Sequence, residues 1–182
     1  FCQVEPQEIA GIFNTWSETD LDSYLLRITA ETLAQKDGDE PFIDKVLDKA
    51  GQKGTGSWSV TSAMGLGVPS STISEALMAR YLSEMKDDRF RAEKKYNLPR
   101  KTFSGDKQKF INSVRDGYSG ARIINHAIGF HLLREAKSAH EWQAGLSEIA
   151  RIWTKGCIIQ SQLMVKLVDI LESDDSVLLH ND

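Results

Sequence analysis

Ile123-Ile124-Asn125-His126-Ala127-Ile128-Gly129-Phe130-His131-Leu132-Leu133 decides the fold class. Drawn as a helix, the segment is apolar on almost every side, and Ala127 and Gly129 permit close approach by neighbours. A helix apolar all round belongs at the centre of a larger helical domain. Asp106 supplies an N-terminal signal upstream and the pattern continues to about Ala136, so the spacing predicts one long helix. Working outward, Pro6 with Ile9, Ile12, Phe13 and Trp16 gives a first apolar stripe. Asp20 is placed to cap a second helix, in which Leu21, Tyr24, Leu25, Ile28 and Leu33 recur at three- and four-residue steps.

Gly38 and Pro41 interrupt that periodicity, and a short helix is expected from about Phe42 to Ala50. Further helices are expected from Ser57 to Leu66 and, capped by Ser70 or Ser71, through Ile73, Leu77, Tyr81 and Met85 to about Tyr96. Two more are expected over Leu146–Thr154 and Cys157–Glu172, with Val177, Leu178 and Leu179 the apolar exception in a polar tail. Alternation of period two commands no segment. The sequence therefore predicts an all-α chain, a single multi-helix domain over residues 1–182 built around a long buried central helix.

The bulk properties narrow the function. With 182 residues, 41% hydrophobic and 26% charged, the chain has the composition of an ordinary globular domain with a substantial core. A net charge of −4 argues against nucleic acid or an anionic membrane as a general partner, so any anion site must be a local positive pocket. Apolar runs fall short of the roughly 18 residues that a membrane-spanning helix needs. Cys2 and Cys157 lie far apart and suggest no metal pair; reduced thiols in a cytoplasmic protein are expected. Phe1 stands where an initiating methionine would, and a helical pattern begins almost at once, which leads us to expect a piece of a longer protein.

Chemistry concentrates in Gly51-Gln52-Lys53-Gly54-Thr55-Gly56-Ser57-Trp58, a glycine turn leading into a helix. Glycine lets backbone N–H groups approach a ligand, and the first N–H groups of a helix have no partner inside it. With Lys53 in the turn, a phosphate or carboxylate cradle is plausible. The spacing is not that of a P-loop and no strand precedes it, which argues against a nucleoside triphosphate. Lys53 also has a plain reading, as a solvated lysine beside a helix start. Arg80 projects from the side of its helix that carries Ile73, Ala76 and Leu77, where an arginine needs a route to water or a partner; it reads as a snorkelling arginine or as the partner of a carboxylate such as Glu84.

The remaining titratable residues invite less. His126 and His131 fall in the buried-looking helix at a spacing that gives no shared metal face, and read as hydrogen-bonded core or interface residues. His140 and His180 read as surface residues, Asp87-Asp88 and Asp174-Asp175 as solvated charges, and Cys157 as a structural thiol. No metal ligands are assigned, and no nucleophile elbow is present.

The residues around the glycine turn carry a resemblance. Val46-x-Asp48-x-x-Gly51-Gln52-Lys53-Gly54-Thr55-Gly56-x-Trp58 resembles the signature of the 6-phosphogluconate dehydrogenase family. Ser62-Ala63-Met64, Gly67-Val68-Pro69, Glu75-Ala76-x-x-Ala79-Arg80 and Ser83-x-x-Lys86-x-x-Arg89 follow at the family's spacing. Trp16, Ser23-Tyr24-Leu25 and Ile28-Thr29 precede it, and Gly129-Phe130-x-Leu132-Leu133-Arg134 and Gly156-Cys157-Ile158-Ile159 come later, so the similarity spans nearly the whole chain.

The resemblance implies the large helical domain of a homodimeric, NADP-dependent enzyme that oxidatively decarboxylates 6-phospho-D-gluconate to ribulose 5-phosphate. It implies that Lys53, Thr55 and Arg80 bind the substrate's phosphate. It also implies that NADP is bound mainly by an N-terminal domain, that the catalytic lysine base and glutamate acid lie upstream, and that a tail bearing an arginine and a histidine lies downstream. No catalytic acid or base is assigned here.

The chain departs from the family pattern at Ile128, where glutamine is usual, at Thr154 and Gln160, where arginine is usual, and at Lys155, where a small residue is usual. These departures keep open a second class of function: a non-catalytic helical self-association module derived from the enzyme.

Overall fold

The computed structural model describes residues 2–99 and 101–173. In chain order the elements are α1 (Pro6–Ser17), α2 (Tyr24–Ala34), a minimal hairpin of β1 (Lys36–Asp37) and β2 (Glu40–Pro41), and a 3-10 turn (Phe42–Lys45). Then follow α3 (Thr55–Gly65), α4 (Ser71–Glu84), α5 (Lys86–Tyr96), α6 (Lys107–Ala139), α7 (Leu146–Ile152) and α8 (Gln162–Ser173). The class is all-α. The chain divides into two compact units, residues 47–104 and residues 2–46 with 105 onward.

In the larger unit, α6 is the long helix expected from the sequence: 33 residues, about 50 Å at 1.5 Å per residue. Asp106 caps it, its carboxylate accepting from the Lys109 N–H at 2.9 Å. One end of α6 contributes Ile111 and Tyr118 to a cluster around Trp16, Leu21 and Leu26, with Trp16 and Tyr118 rings stacked at 6.2 Å. Farther along, Phe130 joins Leu146, Ala150, Met164, Leu167, Val168 and Leu171. Between these clusters Arg122 donates to the Leu21 carbonyl at 2.8 Å. Of the segment Ile123–Leu133, Ala127 and Phe130 are buried, whereas Ile123 and Ile124 are 48% and 46% exposed. The all-round apolar pattern thus exceeds what this chain itself covers.

Several boundaries differ from the sequence expectation. Helix α2 starts at Tyr24 rather than after Asp20, because Ser23 is the cap: its hydroxyl accepts from the Leu26 N–H at 3.2 Å. The chain before it is held extended, with Tyr24 N–H donating to the Gln160 carbonyl and Gln162 N–H to the Asp22 carbonyl, each at 3.0 Å. Those bonds also explain why the last helix begins at Gln162 rather than Cys157. Gly38, at φ +66°, makes the hairpin turn, and Lys45 closes it on Asp37 and Glu40 at 2.8 and 3.2 Å. The Phe42–Ala50 helix is only the single turn Phe42–Lys45.

In the unit of residues 47–104, Gly67 at φ +68° turns the chain between α3 and α4, and Val68 N–H returns to the Ala63 carbonyl at 2.8 Å. Ala63, Val68 and Leu77 are its buried apolar residues. The single helix expected to reach Tyr96 breaks at Met85, and α5 ends on Asn97 in the left-handed conformation. Ser70 takes the N-cap position of α4 without a side-chain cap bond. Among the described residues, no helix is long and apolar enough to cross a membrane. Val177–Leu179 and His180 lie outside the described residues.

Candidate functional site

Lys53, Thr55 and Arg80 line one cleft of about 450 Å³, together with Gln52, Gly56, Ile73, Ala76 and Leu77. Two elements make it. The irregular loop of residues 47–54 runs into the N-terminus of α3 on one side, and α4 forms the other. Gly54 is the N-cap of α3, at φ +102°, a conformation that L side chains rarely adopt. A glycine cap has no side chain to offer the first N–H groups of the helix, which leaves this end with unpaired donors and the positive end of the helix dipole. Thr55 is the first helical residue, so its hydroxyl and backbone N–H both belong to that end.

The opposite wall explains the next glycine. A Cβ on Gly56 would stand 3.1 Å from Leu77 Cδ1, tighter than an ordinary contact, so any larger residue there would have to push the Leu77 side chain back by a few tenths of an ångström. Arg80 lies one turn beyond Leu77. Its Nε donates to the Gly51 carbonyl at 2.9 Å and a terminal nitrogen donates to the same oxygen. That geometry corrects one candidate: the guanidinium bonds backbone rather than pairing with Glu84. The Glu84 carboxylate packs against Gly51 instead, where an added Cβ would sit 3.3 Å from it.

The loop is pinned at further points that the sequence did not assign. Ala50 N–H donates to Ser83 Oγ at 3.0 Å. Arg89 donates to Asp48 Oδ2 and to the Asp48 carbonyl, both at 2.9 Å, and to the Ser83 carbonyl at 3.1 Å. The Arg89 hydrogen bond and charge hold the Asp48 carboxyl below its usual pKa. Within the loop, Gln52 Oε1 accepts from the Gly54 N–H. Asp48, Ser83 and Arg89 are visible as motif positions, but the bonds that Ser83 and Arg89 make to the loop, across 33 and 41 residues, have no signature in spacing. The result is a small positive concavity: a lysine and an arginine, a hydroxyl, and a glycine-capped helix start. That set can hold an oxyanion.

The histidines take structural places. His126 Nδ1 lies 2.7 Å from the Arg122 carbonyl, and burial holds its pKa below 6.5. His131 stands 3.6 Å from Glu135, and His140 stacks on Trp142. Cys157 Sγ donates to the Trp153 carbonyl at 3.1 Å. Among the described residues, no three His, Cys, Asp or Glu side chains gather in a way suited to a metal. Two of the departures from the family pattern find local partners: Gln160 Oε1 accepts from Gly156 N–H at 2.9 Å, and Thr154 Oγ1 donates to the Arg151 carbonyl at 2.8 Å.

Comparison with known proteins places this architecture. The family model described as 6-phosphogluconate dehydrogenase, C-terminal domain, matches residues 1–182. The chain belongs to the 6-phosphogluconate dehydrogenase family. It is 42% identical over 172 residues to the decarboxylating 6-phosphogluconate dehydrogenase of Lactococcus lactis subsp. lactis, covering 93% of this chain and 36% of the relative. The Schizosaccharomyces pombe enzyme of the same name is 41% identical over 177 residues, 95% of this chain and 36% of the relative. Among solved structures, Plasmodium falciparum 6-phosphogluconate dehydrogenase superposes with a TM-score of 0.93 at 33% identity, over 99% of this chain and 40% of that one. That protein was determined in its apo form, with its cofactor NADP+ and with its substrate 6-phosphogluconate. The chain thus spans little more than a third of the length of these relatives.

Proposed function

We propose that this chain is the substrate-anchoring helical domain of an NADP-dependent, decarboxylating 6-phosphogluconate dehydrogenase, in which Lys53, Thr55 and Arg80 hold the phosphate of 6-phospho-D-gluconate. The observation that carries the reading is the meeting of these three side chains on one cleft at a glycine-capped helix start. Family membership and the substrate of the Plasmodium falciparum relative support the choice of ligand. Anchoring the phosphate fixes the reacting carbons relative to the cofactor and the base, which converts binding into orientation.

The chain spans only 36–40% of its relatives, and the family resemblance assigns the NADP contacts to a portion of the enzyme outside it, so no hydride step is routed through its residues. In the proposed reaction the alcohol is oxidised, the resulting keto acid loses CO2, and the product is D-ribulose 5-phosphate in the pentose phosphate pathway.

The enzyme is proposed to be a cytoplasmic homodimer built largely on this domain. Unpaired Cys2 and Cys157 fit the first term. The exposed Trp58, Met64, Ile152 and half-exposed Ile123 and Ile124 fit the second, being apolar surface that a partner subunit would cover. The same surface would serve the rival reading, a non-catalytic self-association module. Kinetics on the full-length enzyme separate the two: Lys53→Ala and Arg80→Ala should each raise KM for 6-phosphogluconate at least tenfold, on the order of one lost charge-assisted bond. Wild-type KM in both variants would refute the anchoring role.

A further inference from the structure

Three pins hold the loop that carries Lys53, and they come in order along it: Asp48 to Arg89, Ala50 to Ser83, and Gly51 to Arg80. Arg80 and Ser83 sit on successive positions of one face of α4, and Arg89 lies in the first turns of α5. Irregular backbone has no ladder of its own to define its path, so side chains from elsewhere must satisfy its polar groups.

Arg89 does most of this. One guanidinium reaches the Asp48 carboxylate, the Asp48 carbonyl and the Ser83 carbonyl. The Ser83 carbonyl belongs to the last turn of α4, where carbonyls lack helical partners and a cation is favoured by the dipole. The same side chain therefore bonds the end of α4 from the start of α5 and ties the loop to both. Its Nε is buried with no partner among the described residues, so the side chain is placed to suit the loop and helix end rather than to satisfy its own donors.

We propose that Arg89 is the positioning residue of the cleft: its clasp on Asp48 and Ser83 fixes the loop of residues 47–54 and thereby sets where Lys53 stands relative to Arg80. Asp48 is its counter-charge, and Ser83, bonded through both its hydroxyl and its carbonyl, is the hub. Arg89 is not among the residues that line the cleft; it acts through Lys53. The inference rests on the phosphate-anchoring reading of the cleft.

The test is a double-mutant cycle in the full-length enzyme, with KM and kcat for 6-phosphogluconate and the thermal midpoint measured for wild type, Lys53→Ala, Arg89→Ala and the double variant. Arg89→Ala should raise KM about tenfold with kcat changed less than about twofold, as expected for a displaced charged ligand. Asp48→Asn should raise KM by a smaller factor, because the bonds from Arg89 to the two carbonyls remain. In the Lys53→Ala background, Arg89→Ala should add less than about twofold to KM while lowering the midpoint as much as it does alone.

A purely structural arginine would give the same midpoint loss in both backgrounds with no such coupling in KM. The inference is overturned if Lys53→Ala raises KM but Arg89→Ala and Asp48→Asn do not, or if the Lys53 and Arg89 effects multiply. Unchanged KM in both Lys53→Ala and Arg80→Ala is a different failure, that of the anchoring reading itself. Should Arg89→Ala not accumulate as folded protein, Arg89→Lys and Asp48→Asn enter the same cycle and decide it by the same criterion.

Discussion

Arg80→Lys separates the two tasks that the cleft gives to one side chain. In the structure the guanidinium uses Nε and one terminal nitrogen on the Gly51 carbonyl, and its other terminal nitrogen makes no hydrogen bond among the described residues. A planar fork can therefore pin the loop and still present donors to a phosphate. An ammonium is a single point on a flexible stem and cannot serve both at once. The loss at the phosphate is about one charge-assisted hydrogen bond, roughly 1.5–3 kcal/mol, and solvent access places it toward the lower bound. That corresponds to a KM for 6-phosphogluconate raised about tenfold.

The loss at Gly51 is smaller, about 0.5–1 kcal/mol for exposed bonds to a neutral carbonyl, which lowers the thermal midpoint by only a few degrees in a domain of this size. The assay is steady-state kinetics on the full-length enzyme beside a thermal melt of the same preparation. A midpoint that falls while KM stays at the wild-type value would refute the reasoning, since it would leave Arg80 as a loop pin and nothing more.

Gly56→Ala should be destabilising despite alanine's better helix propensity, because the added Cβ meets buried Leu77 at 3.1 Å; about 1–2 kcal/mol is expected, and Leu77→Ala in the same chain should relieve part of it in denaturant titrations. Met164, 1% exposed at the centre of the α7–α8 cluster, should cost about 2–5 kcal/mol when cut to alanine, read as a lowered denaturation midpoint with an unchanged slope. His126 is held neutral by burial, so its folded pKa lies below the unfolded value near 6.5. Its stability contribution is full above that pH and declines as pH falls through 6.5 and the unfolded chain takes up the proton first. His126→Gln should flatten that part of the stability–pH curve, and an unaltered curve would count against the assignment.

Much of this was legible in sequence because it depends on local pattern. The long α6 follows from its periodicity and Asp106, and the glycine turn before α3 follows from residue types that few other structures require. The resemblance to the dehydrogenase family groups Lys53, Thr55 and Arg80, and all three line one cleft in the structure. What escaped depends on contacts distant in the chain. Ser23 displaced Asp20 as a cap because Gln160 and Gln162 hold the preceding residues extended. The stretch after Lys45 is irregular rather than helical because Ser83 and Arg89 claim its backbone and Asp48. Arg80 has an apolar-face position that suggested snorkelling or Glu84, whereas its bonds go to a carbonyl 29 residues away. Hydrophobic period cannot encode any of these, since each depends on a polar bond to a residue distant in the chain.

The central claim is that Lys53, Thr55 and Arg80 hold one phosphate. A crystal structure of the full-length enzyme with 6-phosphogluconate tests it most directly. The phosphorus should lie in the cleft, with its oxygens within hydrogen-bond distance of Lys53 Nζ, the free terminal nitrogen of Arg80, and the hydroxyl or N–H of Thr55. Substrate bound with its phosphate elsewhere, and these three groups left to solvent, would contradict the account.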